Sequence, residues 1–171
     1  SKVKFFLILS GYQLTWFTCI FGELFYDSFL PGLIFGLFFL ITCFLNTPNK
    51  KKFILIVLSI SILGYLFDTI LVFFQIYNFD TSLNFGFLPI WMLVLWPSFA
   101  ILFDEVFKFL LKYKLIAVLI SSILGPLTYF SGDPLGLIYI KQISLFFTLM
   151  IIFWAALMMF YLNFLAKIRI N

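Results

Sequence analysis

Asp68 is the residue whose chemistry most needs a reason, because it stands in Gly64-Tyr65-Leu66-Phe67-Asp68-Thr69, inside a long apolar run. An ionisable group within hydrocarbon costs several kcal/mol unless it is paired or hydrated, which makes it a functional candidate. Ser61, Gly64/Tyr65, Asp68, Val72 and Gln75 recur at three-, four- and seven-residue spacing, so they fall on one stripe of a helix. A stripe of small and polar residues belongs against other helices and not against lipid. Two readings follow. The carboxylate either locks two helices through a hydrogen bond, or it serves a ligand or a proton. Asp68 is the acid or base if the chain is an enzyme, although the balance leans away from one.

Two aromatic groups join it by depth. Counting about 1.5 Å per residue, Asp68 lies roughly 22 Å and Tyr129 roughly 21 Å from the inner ends of their expected spans. Trp91 enters from the outer side and lies about 6 Å below that boundary. Tyr12, Gln13, Trp16 and Trp96 sit nearer the midplane. An outward-opening pocket lined by Asp68, Trp91, Tyr129 and Gln75 is therefore permitted, with Tyr65, Trp96 and Gln13 as further candidate ligand-binding residues. Interfacial Trp and Tyr also form anchoring belts, which is the plainer reading of Trp91. Ser121, Gly125, Thr128 and Gly132 share one face of the fifth segment and read mainly as a packing seam. Pro97 and Pro126 can each free a backbone carbonyl inside a helix. Asp104 and Lys108 have the spacing of an ordinary i,i+4 ion pair.

The elements that hold these residues follow from composition. The chain has 171 residues, 64% of them hydrophobic and 11% charged. A soluble domain is typically about 45–50% apolar and about 25% charged. Mean hydropathy is +1.18, and lipid must cover part of this surface. The formal charge of +4 is spread over short runs between apolar stretches, not gathered on one face, so nucleic-acid binding is not expected. The sequence has no histidine, which removes histidine-ligated haem, histidine metal sites and His-dependent acid–base mechanisms. No cofactor and no metal is expected. Cys19 and Cys43 lie in apolar runs without CxxC spacing and read as small hydrophobes.

A helix needs about 20 apolar residues to cross a bilayer. Six segments qualify, at about 3–25, 28–45, 53–77, 87–107, 115–130 and 142–165. The fold class expected is all-α: a polytopic membrane helical bundle forming a single integral domain over 1–171. The first segment lacks a small-residue cleavage site and reads as a mature helix. With the N-terminus inside, Lys2, Lys4, Lys50, Lys51, Lys52, Lys108, Lys112, Lys114, Lys167 and Arg169 fall on one side, and Lys141 alone on the other. That bias places both termini in the cytoplasm. Leu135–Ile140 is too short to span, and is either a lip at the interface or an early start to the last helix.

The strings Gly64-Tyr65-Leu66-Phe67-Asp68-Thr69, Leu88-Pro89-Ile90-Trp91-Met92-Leu93-Val94-Leu95-Trp96, Gly125-Pro126-Leu127-Thr128-Tyr129 and the opening Gly11-Tyr12-Gln13-Leu14-Thr15-Trp16-Phe17 resemble the signatures of a small bacterial inner-membrane family catalogued as a domain of unknown function. The resemblance spans nearly the whole chain. It implies a six-span protein of the bacterial cytoplasmic membrane and singles out Asp68, Trp91, Trp96 and Tyr129. The family often has Asn at the position of Asp104, which weakens a role for that carboxylate. It is often encoded near lipid-modifying enzymes, which implies lipid or isoprenoid handling.

The function expected is the binding or handling of a lipidic or small amphiphilic molecule in an outer-side pocket. Alternatives are an accessory subunit of a larger membrane complex, and the substrate-capturing component of a vitamin-type transporter. The partners expected are membrane lipids, with other membrane subunits as a further possibility.

Overall fold

The computed structural model describes residues 2–168. It is built from six α-helices, α1 (Lys2–Tyr26), α2 (Leu30–Asn46), α3 (Lys50–Phe73), α4 (Met92–Glu105), α5 (Lys114–Phe130) and α6 (Ile143–Asn163), with short 3₁₀ turns after α4 and α6. α1, α3 and α6 (with the turn that continues it) are long and apolar enough to cross a membrane, while α2 and α5 are shorter apolar helices. Every expected span thus contains a helix. Arg169, counted above among the basic residues, lies outside the described residues.

The all-α expectation needs an amendment, because four short strands cap one end of the bundle. β1 (Tyr77–Phe79) pairs antiparallel with β4 (Ile138–Ile140), and β2 (Asn84–Phe85) with β3 (Leu88–Pro89). The third span, read to residue 77, stops at Phe73. Gln75 adopts a left-handed conformation (φ 59°), and the Ile76 and Gln75 amides return to the Leu71 and Val72 carbonyls at 2.9 and 3.0 Å. This is the Schellman end of a helix, made without the glycine that usually announces it. The fourth span, read from residue 87, starts later because the β2–β3 hairpin and Trp91 precede α4. The segment Leu135–Ile140 contributes β4, so it is a lip and not a helix start.

Ion pairs fix which ends lie together. Lys4 on α1 meets Glu105 on α4 at 2.8 Å, and Lys52 on α3 meets Asp104 at 3.6 Å. The same Lys52 reaches the Ala166 carbonyl, just past α6, at 3.5 Å. Asp104 therefore pairs across helices with Lys52, and not with Lys108 one turn away as the spacing suggested. At the opposite end Lys141 donates to Gln75 Oε1 at 2.5 Å. Cys19 is buried, Cys43 is half-buried, and both are free thiols.

α1 packs on α2 and α4, α3 on α4, and α5 on α6. The two groups meet through an aromatic stack. The indoles of Trp96 and Trp154 lie 5.5 Å apart and 18° from parallel. Each is backed by a glycine: a Cβ on Gly64 would fall 2.3 Å from the Trp96 ring, and one on Gly125 2.2 Å from the Trp154 ring. Gly64 of α3, Trp96 of α4, Trp154 of α6 and Gly125 of α5 thus form four successive layers. Gly64→Val should clash with an indole that cannot retreat, and lower stability by about 1–3 kcal/mol. A fall in the detergent-solubilised melting temperature would show it, and an unchanged value would mean that the stack gives way.

Candidate functional site

The end of the bundle capped by the strands holds two buried carboxylates. Asp68 is fully enclosed and accepts hydrogen bonds from three side chains. Trp96 Nε1 donates to Oδ2 at 2.7 Å, and Tyr77 Oη to Oδ1 at 2.5 Å. Tyr129 Oη sits 2.9 and 2.8 Å from Oδ1 and Oδ2. Burial first, and the Asp68 charge second, push the Tyr77 phenol well above its ordinary range, which keeps it a donor. Glu23 on α1 is also buried. It accepts from Trp91 Nε1 at 3.1 Å, from the Ser82 hydroxyl at 3.0 Å and from the Ser82 amide at 3.0 Å.

Each donor is placed by a local feature. Tyr77 reaches Asp68 because α3 ends at Phe73 and β1 folds back over its own helix to pair with β4. Trp91 caps α4, and Trp96 lies just inside it. Tyr129 stands at the last turn of α5, which antiparallel packing brings to the same end. Pro97 has no amide hydrogen, so the Leu93 carbonyl one turn back has no helical donor. The Tyr65 hydroxyl supplies one, at 3.1 Å.

Beside this network lies a cavity of about 250 Å³. Leu9, Tyr12, Gln13, Trp16 and Ile20 of α1 form one wall, and α5 forms another through Ala117, Ile120, Ser121, Leu124, Thr128 and Tyr129. α4 and α6 contribute Trp96, Phe99 and Trp154. Gln13, Ile120, Leu124 and Thr128 line it and are also exposed, so it is a cleft that opens between α1 and α5. From Ala117 to Thr128 it runs eleven residues along α5, roughly 16 Å.

The candidate residues divide accordingly. Trp91, Trp96, Tyr129 and Gln13 line the cleft, whereas Asp68, Tyr65 and Gln75 do not. Asp68 is separated from it by its own donors, Trp96 and Tyr129, so the pocket expected around the carboxylate lies beside it and not on it. Gln75 sits past the end of α3, exposed, where its side chain meets Lys141 and Asn78. The stripe that was extended to Gln75 is continued in space by Tyr77. Trp91 is 2% exposed and bound to Glu23, which is not the setting of an interfacial anchor. Sequence reasoning missed Tyr77 and Glu23. The signal for Glu23 was its place two residues from the end of the first expected span, where an acid either emerges or needs partners.

Fold and site together define a mostly helical protein with apolar helices of membrane length and a polar network sealed inside one end. The family described as a protein of unknown function, DUF2878, matches residues 6–160, and the chain belongs to that family. No curated protein and no solved structure is matched by the chain.

Replacing Asp68 by Leu should leave three buried donors unpaired and destabilise the protein by on the order of 3 kcal/mol or more. Tyr129→Phe, which removes one donor and leaves two, should cost about 1–2 kcal/mol. Thermal unfolding followed by near-ultraviolet circular dichroism of the tryptophans would rank them, and equal losses would contradict a shared network.

Proposed function

We propose that this chain is one integral domain of the bacterial cytoplasmic membrane, crossing it six times with both termini inside, and that it holds a lipidic or small amphiphilic molecule in the cleft between α1 and α5. The observation that carries the reading is the cleft itself: long, almost wholly apolar, and open between two helices where a bilayer would meet it. The six-span arrangement is supported by the ion pairs that gather the basic ends of α1 and α3 with the acidic end of α4. Helices of 17 residues such as α2 and α5 are at the short limit for a span, about 26 Å.

In this reading Asp68 is the internal brace of the cleft and not its ligand group. The carboxylate fixes Trp96 and Tyr129, and those two side chains present an ordered apolar wall. A lipid tail entering from the bilayer exchanges one hydrocarbon environment for another, so shape and a few polar contacts must supply the selectivity.

Alkaline phosphatase fused after Asp133 should be active and fused after Asn49 inactive; the reverse pattern would overturn the orientation. Ile120→Phe/Leu124→Phe, which fills the mouth of the cleft with side chains already exposed there, should leave folding intact. It should also remove most of any lipid that copurifies with the wild type, measured by mass spectrometry of the extracted protein. Retention of that lipid in full would place it elsewhere.

A further inference from the structure

Among the described residues, the cleft's wall contains no Asp, Glu, Lys or Arg. The two carboxylates behind it are already committed, Asp68 to Tyr77, Trp96 and Tyr129, and Glu23 to Trp91 and Ser82. A charged headgroup inside the cleft would have no counter-charge, and burying an unpaired charge is strongly unfavourable. The ligand's buried part is therefore neutral.

The polar atoms of the wall narrow it further. Ser121 Oγ donates to the Trp154 carbonyl at 3.0 Å, and Thr128 Oγ1 to the Leu124 carbonyl at 2.9 Å. Tyr129 and Trp96 are spent on Asp68, and Trp91 on Glu23. Four polar side chains remain: the Trp16 indole, the Trp154 indole, whose N–H is buried without a partner, the Gln13 amide and the Tyr12 hydroxyl. The Gln13 amide and the Tyr12 hydroxyl line the cleft as neighbours on α1 and make no hydrogen bond to another described residue. Gln13 lies eleven residues from Lys2, the first residue of α1, roughly 16 Å along the helix, near the middle of a hydrocarbon core about 30 Å thick. A primary amide at that depth has no water to satisfy it.

We propose, building on the reading of the cleft as a lipid site, that its ligand is an uncharged lipid carrying a hydroxyl or carbonyl oxygen, which hydrogen-bonds to Gln13 and Tyr12 midway along the cleft. The amide offers both donors and an acceptor and the phenol one of each, so an alcohol, ester or quinone oxygen can be matched from two sides. The hydrocarbon on either side of that oxygen fills the apolar lengths toward Ile20 and toward Ala117.

All four tryptophans of the chain line the cleft, which provides the readout. The full-length protein in detergent would be titrated with dibrominated stearyl alcohol, whose bromines quench indole fluorescence on contact. Parallel titrations would use the stearyl sulfate and stearyl trimethylammonium of the same brominated chain, and dibrominated octadecane. The Ile120→Phe/Leu124→Phe variant sets the non-specific background. The alcohol should quench saturably, with half-saturation about tenfold below either charged probe, and Gln13→Leu or Tyr12→Phe should raise it about tenfold for the alcohol while leaving the alkane unchanged. Equal or tighter quenching by a charged probe, or no effect of both substitutions, would overturn the assignment of ligand class. Absence of saturable quenching by every probe would instead overturn the lipid-site reading beneath it. If Gln13→Leu converts a dimer into a monomer on crosslinking, the amide's partner is a second copy of the chain, and the assignment also fails.

Discussion

The structure depends on the need to solvate one carboxylate without water. In hydrocarbon an ionisable group must find its hydrogen bonds inside the protein, and Asp68 finds them on three different elements: β1, α4 and α5. Satisfying it fixes where α3 ends, how β1 folds back, and the rotation of α4 and α5 about their axes. Glu23 repeats the solution on a smaller scale, binding α1 to the loop before β2 and to the start of α4. Both carboxylates use an indole N–H, a donor that brings a large apolar body with it.

That choice of donor couples the polar network to the packing. Trp96 cannot rotate without leaving Asp68, so its ring becomes a fixed surface on which Trp154 stacks and against which Gly64 closes. Trp96 and Tyr129 then serve two environments at once, with polar atoms turned to Asp68 while the same side chains line the cleft. Pro97 lies next to this tryptophan, and the carbonyl it strips of a donor is served by Tyr65. The conspicuous string around Asp68 is thus largely a set of repairs to α4 made from α3.

The helices were legible because apolar runs bounded by Lys clusters, Pro31 and polar turns have few alternatives in this composition. Asp68 was legible as an anomaly, and Trp91 and Tyr129 as its neighbours in depth. What the residues did not reveal was the route of the chain between helices. Gln75 continues the stripe of Asp68 on paper, but α3 ends in a left-handed Gln75, where no glycine or proline gives warning. Tyr77 therefore replaces it, from a strand of three residues whose central pair, Asn78↔Tyr139, joins positions 61 apart in the chain. Such pairing leaves no periodicity to read. The cleft was equally hidden, since the spacing of Ser121, Gly125 and Thr128 is the same whether α5 faces one neighbour or two.

The bond from Tyr129 to Asp68 spans 61 residues of chain, and this distance has a bearing on biogenesis. Synthesis proceeds from the N-terminus, so α3 is complete while α5 has yet to be made. During that interval the carboxylate has Tyr77 and then Trp96 for company, and lacks its third donor. Until α5 emerges, the set of donors around Asp68 is one short, and the last of them is delivered from near the C-terminal end of α5.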